Sequence, residues 1–147
     1  MWKQLMRRGG MACMLAFTIV SCKQPVPYEE KVGDALERLL PGEVLNRYRH
    51  IVLVPNGGCP GCVSEAEDYC IRHQADSTLL FVFTNFVSRK ELRIKLGKIL
   101  LERKNVWLDD ELNLYFPEYK ESIYPALIEV KNGKIGRFAN LEEAEEF

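Results

Sequence analysis

Cys59-Pro60-Gly61-Cys62 is where chemistry concentrates in this 147-residue chain. Two cysteines separated by two residues can exchange disulfides. One thiolate attacks a foreign sulfur, and the other lies close enough to attack the mixed disulfide and close the ring. The motif follows the apolar run Ile51-Val52-Leu53-Val54 and the turn Asn56-Gly57-Gly58, and it opens a helical pattern over 60–73. The first sulfur therefore falls at a helix N-terminus, where unpaired backbone N–H groups and the helix dipole favour thiolate. Pro60 takes the first helical position, where a missing N–H costs nothing. Cys59 is the expected exposed nucleophile, and Cys62, one turn in, the expected resolving thiol.

The elements that must hold this pair are legible on either side of it. Val32, Ala35, Leu36, Leu39 and Leu40 recur at helical spacing over 29–40, and Pro41-Gly42 ends that helix. Residues 50–55 form a strand buried on both faces, as does Leu79-Leu80-Phe81-Val82-Phe83-Thr84 within 78–86. A helix is expected over 88–101, capped by Ser88, with Leu92, Leu96, Ile99 and Leu100 on its inner face. Residues 105–108 suit a short strand and 109–124 an irregular stretch rich in aromatic residues. Asn132-Gly133 between 126–130 and 134–138 is a strong hairpin signal. A short acidic helix is expected over 141–146. Strands joined by crossover helices pair in parallel, while the hairpin adds antiparallel strands. The expected fold class is α/β, a three-layer sandwich with one mixed central sheet and helices on both faces.

With its strand before it and Tyr124-Pro125-Ala126-Leu127-Ile128-Glu129-Val130-Lys131-Asn132-Gly133-Lys134 after it, the motif resembles the thioredoxin superfamily over residues 48–140. The stretch 105–111 before the aromatic loop is more similar to exported, membrane-tethered members. The resemblance implies that Pro125 is cis and sits against the cysteine pair, with the Tyr124 backbone binding an extended substrate segment as an added strand. Two departures stand out. Gly58 occupies the place of a tryptophan usual before the first cysteine, and Leu53 that of a buried acid that helps deprotonate the resolving thiol. Glu65, three residues past Cys62 on the helix, is expected to face solvent and receives no role.

The chain's first residues read as an address. Lys3, Arg7 and Arg8 precede an apolar run over 11–20, which has the length of a signal sequence rather than a membrane span. Ile19-Val20-Ser21-Cys22 resembles a bacterial lipobox, which implies cleavage before Cys22 and lipid on Cys22. The expected organisation is a signal peptide over 1–21, a lipidated tether over 22–28 and a thioredoxin-like domain over 29–147. Losing Lys3, Arg7 and Arg8 leaves 17 bases against 21 acids, a formal charge of −4. Membrane contact then comes from lipid rather than from a basic patch. The expected location is the periplasmic or cell-surface side of a bacterial envelope membrane.

Of the five cysteines, Cys13 goes with the signal and Cys70 remains. Cys70 shares an i, i+4, i+8 row with Cys62 and Ala66, about 12 Å from Cys62 along the helix, too far for a disulfide. It is expected to pack as a small apolar group. A zinc set of Cys59, Cys62, Cys70 and His73 would require breaking the helix, so no metal and no cofactor beyond the Cys59–Cys62 redox pair are expected. His50 marks the start of a strand. Tyr115, Phe116, Tyr119 and Tyr124 are expected to cap the core, partly as an apolar collar for substrate. Balanced charge argues against nucleic-acid binding, and no apolar run reaches membrane-spanning length.

The function this implies is thiol–disulfide exchange with exported proteins, with reduction the favoured direction and an unidentified reductant or oxidant upstream. The alternative is a non-catalytic binding or scaffold lipoprotein of the same fold whose disulfide is static.

Overall fold

An unbroken apolar strand needs cover on both faces, and Ile51–Val54 receives it at the centre of the sheet. The computed structural model describes residues 25–141. Its order is α1 (Tyr28–Leu39), α2 (Gly42–Leu45), β1 (His50–Pro55), α3 (Pro60–Arg72), β2 (Leu79–Thr84), α4 (Arg89–Leu96), α5 (Lys98–Leu101) and β3 (Val106–Leu108). A 3-10 turn (Lys120–Ile123) and the hairpin β4 (Ala126–Lys131) and β5 (Lys134–Asn140) follow. The protein is α/β with one five-stranded mixed sheet in the order β3-β2-β1-β4-β5. β1 pairs in parallel with β2 and antiparallel with β4, so Val52 lies between Phe81 and Leu127.

Side chains alternate across a strand, and that period of two divides the core. Ile51 and Leu53 of β1 join Leu80, Val82 and Ile128 beneath Val32 and Leu36 of α1 and Leu45 of α2. Val52 and Val54 join Phe81 and Phe83 on the opposite face, beneath α3, α4 and α5. Helices therefore cover both faces, as expected. The short α2 has no counterpart among the expected elements. Four residues are too few to show a periodicity.

The helix expected over 88–101 is two helices. Ser88 caps the first, its hydroxyl accepting from the Glu91 N–H at 3.1 Å, but Gly97 breaks the chain at φ 82° and ψ 151°. Leu92, Leu96 and Leu100 stay buried, whereas Ile99 is 77% exposed rather than inward-facing. A continuous helix would carry Ile99 to the inner side. The turn at Gly97 rotates it away.

Tyr28, the last residue of the expected tether 22–28, belongs to a helix. It is the first residue of α1, its ring lies 5.7 Å from that of Tyr119, and the Tyr119 hydroxyl donates to the Val26 carbonyl at 2.6 Å. The last residues of the expected tether thus dock on the domain. The signal peptide, Cys13, Cys22 and all but the first residue of the expected 141–146 helix lie outside the described residues. Among the described residues, no helix is long and apolar enough to cross a membrane.

Candidate functional site

β1 ends at Pro55, and the chain turns through Asn56–Gly58 to Cys59, the N-cap residue of α3 at φ −60° and ψ 114°. Pro60 takes the first helical turn, as its fixed φ and missing N–H favour. The turn is clamped from outside. Gly58 N–H donates to the Pro55 carbonyl at 2.8 Å, and Cys59 N–H to the Ile123 carbonyl at 3.0 Å. A Cβ on Gly58 would lie 2.1 Å from the Ile123 oxygen and 2.9 Å from that of Pro55. Only glycine allows this approach, which gives a physical reason for Gly58 where the resembled family usually has tryptophan.

The two thiols differ in acidity. The Cys59 thiol is held below its ordinary value, first by a hydrogen bond from the Cys62 thiol, then by the Cys62 backbone N–H. Burial opposes this, the Gly61 N–H assists, and the Glu65 charge opposes. Cys62 is pushed up, first by its hydrogen bond to Cys59, then by burial and the Cys59 charge. Both residues are partly exposed, so hydrogen bonds rather than depth separate the two.

Pro125 departs from expectation. The described residues contain no cis peptide bond, so Tyr124–Pro125 is trans. Tyr124 is extended at φ −105° and ψ 141°, the conformation a following proline favours. Pro125 then leads directly into β4, where a proline needs no ladder N–H at the strand's start. Tyr124 N–H already donates to the Glu121 carbonyl at 3.0 Å. That donor is engaged within the protein rather than presented to an added strand.

The structure places Tyr124 and Pro125 opposite Cys62, across a cleft of about 510 Å³, while Cys59 meets the same loop through its N–H bond to Ile123. One wall is a stripe of α3, Cys62, Glu65, Tyr69 and Arg72, spaced three, four and three residues apart on one helical face. Tyr124 and Pro125 form the other wall, and Asn140 and Leu141 close the end of β5 against it. Tyr124 is 47% exposed. A smaller hollow of about 280 Å³ lies on its far side, beside Tyr28, Glu121 and Phe138. The aromatic cluster is thus divided: Phe116 packs on the α1-side core, Tyr119 packs on Tyr28, and Tyr124 faces the clefts.

Sequence reasoning missed three supports of this site. Glu65 is exposed but lines the cleft beside Cys62. Asn56 Nδ2 donates to Glu67 Oε1 at 2.6 Å, with Lys95 Nζ 3.9 Å from the same oxygen. This ties the end of β1 to α3 and α4. The carboxylate of Asp109, itself buried, accepts from the Thr84 hydroxyl at 2.8 Å, the Leu114 N–H at 2.8 Å and the Asn113 N–H at 3.0 Å. It pins the start of the loop that delivers Ile123–Pro125. The α3 stripe was legible at helical spacing. The Asn56 and Asp109 contacts join separate segments and left no local signal.

Leu53 is 1% exposed and belongs to the α1-side core, so β1 places no carboxylate there. Cys70 is fully buried at 0% exposure on the inner face of α3, and His73 stacks on Tyr69 at 4.2 Å. The members of the conceivable zinc set point different ways, and no group of three or more His, Cys, Asp or Glu suited to a metal occurs among the described residues. His50 opens β1. Compared with protein-family models, curated proteins and solved structures, the chain finds no match.

Proposed function

We propose that this chain is a thioredoxin-like thiol–disulfide oxidoreductase, exported and anchored by lipid on Cys22, that acts on exported proteins. The observation carrying this reading is the hydrogen-bonded Cys59–Cys62 pair at the start of α3, with Cys59 the more acidic thiol. The Cys59 thiolate attacks one sulfur of a substrate disulfide. A Cys59–substrate bond forms, and the other substrate sulfur leaves as thiolate and takes a proton from solvent. Cys62, losing its proton, then attacks Cys59. The Cys59–Cys62 disulfide forms and the second substrate sulfur is released. The substrate is reduced by two electrons, and an upstream dithiol restores the pair.

Replacing Cys62 with serine removes the second step. The Cys62→Ser protein is expected to accumulate mixed disulfides with envelope proteins through Cys59, and the wild type to reduce insulin disulfides. Absence of both would overturn the reading. The trans Pro125 and the engaged Tyr124 N–H favour a second reading, a binding module with a static disulfide. The reduction potential separates them, because a structural bridge lies below about −300 mV and a labile pair above it. Anchoring has its own test. A Cys22→Ala chain should lose incorporated fatty acid and leave the membrane fraction.

A further inference from the structure

The cleft that Cys62 lines has a charge order, and that order carries information about the substrate. Glu65 stands one turn from Cys62, and Arg72 stands at the far end of the same stripe. Both are exposed, and neither belongs to a salt bridge among the described residues. Tyr69 lies between them on α3, and the half-exposed Tyr124 stands on the opposite wall. Cys62 and Arg72 are ten residues apart, about 15 Å along the helix axis at 1.5 Å per residue. An extended chain rises roughly 3.3 Å per residue, so four to five residues span that length. The Tyr124 N–H is donated to Glu121, which removes one of the backbone groups that would hold a substrate as an added strand. Side-chain recognition along α3 remains open to the ligand.

We propose that the cleft binds an extended peptide segment of the substrate lying along α3, with its reactive cysteine at Cys59–Cys62, a basic residue against Glu65, an apolar residue between Tyr69 and Tyr124, and an acidic residue at Arg72. The assignment rests on the exchange reading above and adds a substrate class to it. It turns away segments with an acid next to the cysteine, because Glu65 repels them. The charge order is set by the helix, whereas the direction of the bound chain is not.

The test uses the full chain and two peptides of equal composition, Cys-Lys-Leu-Ala-Glu and Cys-Glu-Leu-Ala-Lys, each joined through its cysteine to a small neutral thiol. Each is also made with the cysteine at the other end. Reduced protein and mixed disulfide give oxidised protein, free peptide thiol and free small thiol, and the peptide thiol is followed by chromatography. In at least one chain direction, the peptide with lysine next to cysteine should react roughly fivefold to tenfold faster at low salt, since two exposed ion pairs are made in one peptide and reversed in the other. The ratio should shrink in high salt. Arg72→Glu together with Glu65→Lys should invert it, with unchanged thermal unfolding as the check on folding.

Equal rates for all peptides would overturn the charge-ordered cleft and leave the exchange reading standing. No reaction with any peptide or with insulin would remove the exchange reading itself. A preference that survives the double exchange of Glu65 and Arg72 would place its origin elsewhere and overturn the assignment. The assignment also falls if the preference emerges only after Glu142, Glu143, Glu145 and Glu146 are changed to glutamine, because the chain's own acids would then be the occupant.

Discussion

Cys59 and Cys62 differ because one accepts a hydrogen bond and the other donates it. The largest cause of the low Cys59 value is the Cys62 thiol, and this makes the asymmetry removable. In Cys62→Ala, the acidity of Cys59 should fall toward that of an ordinary thiol, and alkylation by iodoacetamide at neutral pH should slow. The pH profile of the rate should move to higher pH, since the thiolate is the reactive form. An unchanged profile would assign the low value to the helix N-terminus alone. Gly58 makes the second argument at this scale. Gly58→Ala would press a methyl group into the Ile123 carbonyl, and a backbone overlap of this kind costs about 1–3 kcal/mol. Chemical denaturation should show that loss, and the Cys59 pH profile should shift as the clamp from Ile123 loosens.

Between residue and fold stand the elements, and Gly97 shows what an element break requires. Its φ of 82° with ψ of 151° is a combination that side chains other than glycine's rarely tolerate. The space around it is open, with no atom within 4 Å of a notional Cβ. Gly97→Ala therefore tests conformation without steric crowding. It should destabilise the protein by about 1–3 kcal/mol through backbone strain. A stabilised variant would mean that α4 and α5 can fuse, as the leucine spacing alone suggests. The α3 helix shows the complementary case. One of its faces buries Val63, Ala66 and Cys70, and another presents Cys62, Glu65, Tyr69 and Arg72 to the cleft, so one periodic segment both anchors the site and lines it.

For the whole molecule, proton linkage predicts an alkaline limit. Burial, followed by the Glu67 carboxylate, pushes the Cys70 thiol well above its ordinary value of 9.0. Burial and then the Glu121 charge push the Tyr28 hydroxyl from 10.0 up to about 12. Lys31 shifts upward too, chiefly through its hydrogen bond to Glu118. All three keep their protons longer in the folded chain than in the unfolded one. Their contribution is complete below the unfolded values and is lost as pH rises through the folded ones. The denaturation midpoint of the reduced protein should therefore fall between about pH 8 and pH 11. Cys70→Ala and Tyr28→Phe should each flatten that decline. A midpoint constant across the range would contradict the protonation states assigned to the core.

Local patterns alone determined much of this protein. The boundaries of β1 and β2, the start of α3 at Pro60, the Ser88 cap and the turn at Asn132–Gly133 follow from apolar runs, helical spacing and turn chemistry, all of which act over a few residues. So does the placement of Cys59 at a helix N-terminus, and the packing of Cys70. Contacts between distant segments decided the rest. That Ile123 presses on Gly58, that Asp109 holds the loop carrying Tyr124, and that Pro125 enters β4 in trans all depend on where a stretch of irregular chain settles against the sheet. The cleft is the clearest case, since its α3 wall is written at helical spacing while its opposite wall exists only once the hairpin has paired with β1. Residues close in sequence interact through backbone geometry, but a site built between elements is defined only when those elements pack.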